Sequence, residues 1–210
     1  MPVPRVAVAL LMGVTILAGS AAAQAKNELA GSLGRTFISD HTVPNTNFFD
    51  NTIHSGKGLT FEVTYARHLL GNGGFATLSF EVPAAFNPDE DLNYGINVIP
   101  KQYSSLFITP SARLKLFADT AVAPWFSFGG GFGHFSESSE LLFGGTNPGK
   151  TGTTTGVIQF GGGLDVKIWS AFRLRGEVRD FDSGVPQLNV DTGKTRQHNL
   201  YVGAGIVFEF

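Results

Sequence analysis

Between Tyr201 and Phe210 every second residue is apolar: Val202, Ala204, Ile206, Phe208 and Phe210 alternate with Tyr201, Gly203, Gly205, Val207 and Glu209. Side chains on an extended strand alternate faces, so one face suits hydrocarbon and the other a crowded, partly polar interior. Beyond the first 25 residues, no run of about 18 apolar residues could span a bilayer as a helix. A chain that crosses lipid without helices must close its strands into a barrel, because hydrocarbon satisfies no open backbone groups. The alternation therefore leaves a soluble β-domain or a transmembrane barrel. Counts of 19 Phe and 27 Gly favour β-structure with tight backbone approaches over a helical domain.

Eight segments carry this pattern, each near the ~9–11 residues that a tilted membrane strand requires. They run from Asn27 to Phe37, Leu59 to Leu69, Phe75 to Val82, Ser104 to Leu116, Ala123 to Phe135, Thr155 to Trp169, Phe172 to Phe181 and His198 to Phe210. Pro110 donates no ladder bond and predicts a bulge in the fourth. The connections after the second, fourth and sixth segments are short, and the others are about fifteen to twenty residues, the asymmetry of outer-membrane barrels. A soluble sandwich or lipocalin-like barrel would bury the apolar face inside, and periodicity alone fits that as well.

At the N-terminus, Arg5 precedes an apolar run from Val6 to Ala18 and a small-residue stretch through Ala25. This order reads as a secretory signal peptide over residues 1–25, cleaved after Ala23 or Ala25, with a single barrel domain over 26–210. There is no cysteine, hence no disulfide framework or thiolate metal site. His41, His54, His68 and His198 do not cluster at metal-ligand spacing, and neither metal nor cofactor is expected. The net charge of −2, or −3 without Arg5, and the lack of a basic patch argue against a nucleic-acid partner.

Charges inside the strands follow the alternation. Glu62, Arg113, Lys115, Asp165, Lys167, Arg173, Arg175, Glu177 and Arg179 all have inward parity. Facing lipid near the midplane, each Arg or Lys would cost about 2–4 kcal/mol. Counting through the Ser170-Ala171 turn predicts a cross-strand pair between Asp165 and Arg175. Glu62 and Glu177 are candidates to balance Arg113 and Arg179. An eight-stranded interior holds side chains or one small ligand, so these charges read as a salt-bridge plug before a channel. Arg67 and Asp180 have lipid-facing parity but fall near strand ends, where the cost drops to about 0–1 kcal/mol.

The segments from Ala123 to Gly133 and from Leu174 to Phe181, with the terminal strand, resemble the small bacterial outer-membrane barrels that include OmpA-type and OmpX-type domains. The resemblance implies an all-β, antiparallel, up-and-down transmembrane β-barrel of eight strands, located in the outer membrane among its lipids and lipopolysaccharide. In that family the barrel-assembly machinery reads a terminal aromatic strand, which makes Phe208 and Phe210 the implied assembly signal. Turns are periplasmic there and loops extracellular. The resemblance does not extend to a periplasmic peptidoglycan-binding domain.

Two features invite other readings. The Gly129–Gly131 and Gly161–Gly163 runs look like phosphate loops, but no helical pattern follows either; room inside a narrow barrel explains them better. His134-Phe135-Ser136, followed by Glu137 and Glu140, resembles the His-x-Ser pair and downstream glutamate of lipid A deacylases. Histidine as base and serine as nucleophile is coherent acyl-transfer chemistry. The longer segment around that family's pair is not matched, and Pro148 stands where its glutamate is expected. The favoured reading is a non-enzymatic structural or surface-interaction protein acting through four polar loops: Ile38 to Gly58, Pro83 to Tyr103, Ser136 to Thr154 and Asp182 to Arg196. Phe48, Phe49 and Phe86 are its apolar loop residues, and the loop partner is left open. A narrow channel or carrier for a small solute, and a lipid A hydrolase built on His134, Ser136 and Glu140, are the alternatives.

Overall fold

The computed structural model describes residues 27–44, 51–71 and 74–210. The expected signal peptide, together with Phe48 and Phe49, lies outside them. Eleven strands follow in chain order: β1 (Asn27–Ile38), β2 (His41–Thr42), β3 (Thr52–Ser55), β4 (Leu59–Leu70), β5 (Ala76–Asn93), β6 (Gln102–Ile108), β7 (Ser111–Leu116), β8 (Val122–Glu137), β9 (Thr153–Lys167), β10 (Phe172–Gly184) and β11 (Arg196–Glu209). None of the described residues is helical. β6 and β7 form one wall strand between β5 and β8, and β1 pairs with both β4 and β11. The result is a closed antiparallel barrel of eight wall strands with no open edge. At the seam Asn27 and Phe210 exchange both backbone hydrogen bonds, each 2.9 Å long.

The wall departs from the sequence reading in two places. Pro110 interrupts the fourth wall strand but produces no bulge: the register of β6 continues into β7 against both β5 and β8. The neighbouring groups remain bonded, Thr109 N donating to Pro83 O and Gly130 N to Pro110 O at 3.2 Å each. Proline here removes one donor without adding a residue. Register shifts occur instead at His68/Leu70 and at Asn87/Glu90. The second permits the other departure. β5 runs on to Asn93 and pairs with β6 and β3, so most of the expected second loop is strand. Phe86 accordingly sits on the wall opposite Phe61, not in a loop.

The outer face is an apolar belt. Leu33, Phe61, Val63, Phe80, Leu114, Phe126, Phe128, Phe160, Leu164, Leu174, Val178, Val202 and Ile206 are all exposed, Phe126 by 61%. Water would penalise so continuous a surface, whereas hydrocarbon suits it. Aromatics gather where the belt meets the short turns: Phe75 packs edge-on against Phe117, Trp169 against Phe172, and Phe172, Phe208 and Phe210 stack in series. Such girdles mark the membrane–water boundary.

Inside, glycine makes room for a large ring. A Cβ on Gly163 would lie 2.4 Å from Gly176 O and 2.7 Å from the Trp125 indole, which is fully buried. Two measurements check this fold. Unboiled protein in detergent should migrate faster than boiled protein, as a closed barrel resists unfolding. Gly163→Val should lower the temperature at which the compact band is lost, at an overpacking cost of about 1–3 kcal/mol; an unchanged transition would contradict the Trp125 packing.

Candidate functional site

Buried side chains line the lumen in two chemically distinct halves. Alternation on eight strands brings Glu28, Glu62, Glu81, Asp165, Glu177 and Glu209 together with Arg113, Lys115, Arg173, Arg175 and Arg179. Six carboxylates thus face five cations, out of contact with lipid.

Nearest the turns, Arg173 pairs with Glu209 at 2.7 Å and donates to Ala118 O and Thr120 O, tying the β7–β8 turn to the barrel. Above it, Asp165 receives a bidentate pair from Arg175, at 2.8 and 2.9 Å, and the Lys115 ammonium at 2.9 Å. Asp165 and Arg175 are cross-strand register partners. Glu28 gathers Arg113, Lys115 at 2.6 Å and His68 at 2.8 Å. In the middle of the barrel Arg179 meets Glu81 at 2.7 Å, Glu62 at 3.0 Å and Glu177 at 3.1 Å. Arg113 is balanced by Glu28 and Glu81, not by Glu62 or Glu177. Trp125 lies among the guanidinium groups, with Arg175 and Arg179 each 4.9 Å and Arg113 5.9 Å from its ring; its indole N–H donates to Asp165. The negative face of the ring supplements the carboxylates in holding these cations.

Lys167 is the exception. It is exposed at the end of β9 and makes no ion pair among the described residues. Sequence reasoning did not place Glu28, Glu81, Trp125 or Glu209 in the network. Parity alone marks the first two, since Glu28 alternates with Leu29 and Glu81 continues the inward face of Thr77 and Ser79.

Towards the loops the lining turns apolar. Phe107 stacks on Phe181 at 5.0 Å, and Phe135 meets Phe107 and Tyr103 edge-on. Val43, Ile53, Leu92, Tyr94, Ile99 and Leu188 come down from the connections to complete one buried cluster. The connections are therefore a folded lid with its own core. Loop 1 adds the β2–β3 hairpin, and Asn189 of loop 4 donates to Val98 O and to Asn147 of loop 3. At the base of the lid, buried Glu90 accepts from Gly58 N at 3.0 Å and Asn87 Nδ2 at 2.8 Å. Burial pushes its carboxyl above the ordinary range despite those donors, and Asp91 and Asp89 add to the rise.

His134 and Ser136 point outward from β8, not into the lumen. His134 Nδ1 bonds Thr154 Oγ1 at 2.8 Å. Among the described residues neither Ser136 nor Glu140 makes a side-chain hydrogen bond to it, so the three do not form a relay. No group of three or more His, Asp or Glu among the described residues could hold a metal ion.

No protein-family model and no curated protein matches the chain. Solved structures do. Neisserial surface protein A aligns with a TM-score of 0.53 at 12% identity over 88% of this chain and 97% of that one. OprG from Pseudomonas aeruginosa gives 0.54 at 8% identity over 89% and 97%. The N-terminal β-barrel domain of OprF from the same organism gives 0.50 at 9% over 88% and 98%. The fold is that of the small outer-membrane β-barrels. At these identities the likeness concerns the wall and its closure, while the chemistry of lumen and lid belongs to this chain.

Arg179→Met leaves three carboxylates buried without their shared cation. It should cost about 3–5 kcal/mol in urea unfolding of the refolded barrel; a loss under about 1 kcal/mol, typical of exposed pairs, would show the cluster to be hydrated. For Glu90 the sign follows from the raised carboxyl. Its contribution is whole below the ordinary carboxylate range and fades as pH rises through the raised value. Hydrogen-exchange protection of the Gly58 amide, corrected for intrinsic rate, should therefore decline as pH rises above the ordinary carboxylate range. That decline should be absent in Glu90→Gln.

Proposed function

We propose that the protein is a non-enzymatic, non-conducting barrel of the bacterial outer membrane that serves as a structural or surface-interaction protein through its lid. The observation that carries this reading is the occupied lumen. Ion pairs fill the half nearest the turns, and aromatic side chains continuous with the lid core fill the other half. Passage of a solute would require both the Arg179 cluster and the Phe107–Phe181 stack to leave their places. The apolar belt with its aromatic girdle supports insertion among outer-membrane lipids and lipopolysaccharide. Phe208 and Phe210, stacked at the seam, are the assembly signal presented to the barrel-assembly machinery.

The lid offers a partner a shaped surface. A turn at Leu141–Gly145 holds Phe143 outward, 66% exposed. Its amide donates to Asn97 Oδ1 at 2.7 Å, and Asn97 Nδ2 donates to Gly144 O at 2.9 Å. An exposed aromatic on fixed backbone contacts a partner at small entropic cost. His134 bound to Thr154, with no side-chain hydrogen bond to Ser136 or Glu140 among the described residues, gives hydrolysis no assembled relay.

Refolded protein inserted in a planar bilayer should show no conductance steps. Incubated with lipid A, it should release no fatty acid. Stepwise conductance abolished by filling the lumen, or fatty-acid release abolished by His134→Ala or Ser136→Ala, would overturn the proposal.

A further inference from the structure

Arg35 occupies an unexpected position on the wall. Its register partners are Leu59 on β4 and Val202 on β11, and Leu33 and Phe37 flank it on the same outward face. A guanidinium amid apolar side chains at a lipid-facing position is retained only if its head reaches a polar layer. Arg35 turns towards the loops and donates one N–H to Lys57 O at 2.8 Å. Lys57 in turn holds its ammonium 5.7 Å from the centre of the Phe37 ring. The Lys57 ammonium thus lies over an aromatic, and Arg35 is hydrogen-bonded to the backbone of that same lysine, at the loop-side edge of the belt.

Among the described residues neither has a carboxylate within ion-pair distance. The neighbouring outward charges are matched: Asp180 with His198 at 2.7 Å, and Asp182 with Arg196 at 2.9 Å. Asp40, the acid of loop 1, is engaged by His54 at 2.7 Å and by the Ser55 amide. Most of the five guanidinium donors of Arg35 are left for an acceptor outside the protein. The polar layer at this height is the headgroup region, and its multivalent anion is phosphate, which a planar guanidinium binds in a fork.

We propose that Arg35 and Lys57 form a binding site for the phosphate of a membrane-lipid headgroup, with Leu33, Phe37, Leu59 and Val202 receiving the acyl chain beneath it. The site rests on the membrane reading of the preceding section, and it commits to a lipid as the source of the anion.

The test uses the refolded full chain in neutral detergent, with native mass spectrometry of bound phosphatidic acid and of phosphatidylcholine with the same acyl chains. Wild type should retain phosphatidic acid in preference to phosphatidylcholine by about tenfold, as expected for a charge-assisted bidentate contact. Arg35→Gln/Lys57→Gln should lose that preference, and Arg35→Lys should lose most of it because the fork is gone. Lys101→Gln/Lys150→Gln, which removes the same charge from the lid, should keep it. Equal preference in Arg35→Gln/Lys57→Gln and wild type overturns the site. Displacement of bound phosphatidic acid by millimolar inorganic phosphate overturns the assignment to a lipid. Flotation with phosphatidylcholine vesicles separates the two readings. Wild type that floats without a phosphatidic acid preference refutes only the site, whereas wild type that does not float refutes membrane insertion itself.

Discussion

Five cations held out of bulk water decide how the rest of this chain is arranged. Arg113, Lys115, Arg173, Arg175 and Arg179 cannot face hydrocarbon, and the alternation of a strand gives each only one other direction. Once they point inward, six carboxylates and the Trp125 ring must be within reach, because a buried cation without a partner is far more costly than a pair. That requirement fixes register. Asp165 has to lie opposite Arg175 on the adjacent strand, and Glu62, Glu81 and Glu177, from three different strands, must converge on Arg179. A slip of one residue on β10 would turn three guanidinium groups into lipid, so the network specifies the barrel as much as it stabilises it.

The same demand explains where small residues occur. A lumen that must hold Trp125 and three guanidinium groups has space for them where the register partner on the adjacent strand has no side chain. Gly163 faces the indole, and Gly161 leaves room for the stem of Arg179. Glycine here is a matter of volume, with backbone in ordinary extended conformation. The flexible position is in the turn, where Gly71 takes a φ of +99° between β4 and β5. The Gly161–Gly163 run, which resembles a nucleotide loop in sequence, is thus the negative image of a neighbouring aromatic and its cations.

Legibility in the sequence followed this division. The wall was readable because a two-residue period is local: the alternation between Leu59 and Leu69 or between Phe172 and Phe181 needs no knowledge of the partner strand. The Asp165–Arg175 pair was readable because a short turn fixes its register. The partners of Arg113 were not: Glu81 lies on β5, whose register with β7 a long connection leaves unset, and only closure brings Glu28 on β1 across the lumen from β7. The lid was the least visible part. Its apolar residues, Val43, Ile53, Leu92, Ile99 and Leu188, are scattered singly among polar ones and look like solvated loop until the strands bring them together. The extension of β5 was hidden for a related reason. The register shift between Asn87 and Glu90 exchanges inward and outward parity, so the alternation appears to end where it has only changed phase.

The division of the lumen also bears on what the barrel can do. An ion-pair network can be hydrated and rearranged where a carboxylate has alternative cations nearby: Glu28 touches Arg113, Lys115 and Arg175, and Glu81 touches Arg113 and Arg179. The aromatic half has no such alternatives. Phe107, Phe135 and Phe181 share one cluster with residues of the lid, so opening that half would expose the lid's core to water and forfeit its burial energy. In the proposed non-conducting barrel, the barrier to permeation therefore lies with the lid more than with the charges. Packing of the lid's described residues into one core is what the proposed recognition surface requires. Ion pairing below and apolar packing above are consequences of one arrangement of side chains, and the proposed display of residues such as Phe143 rests on it.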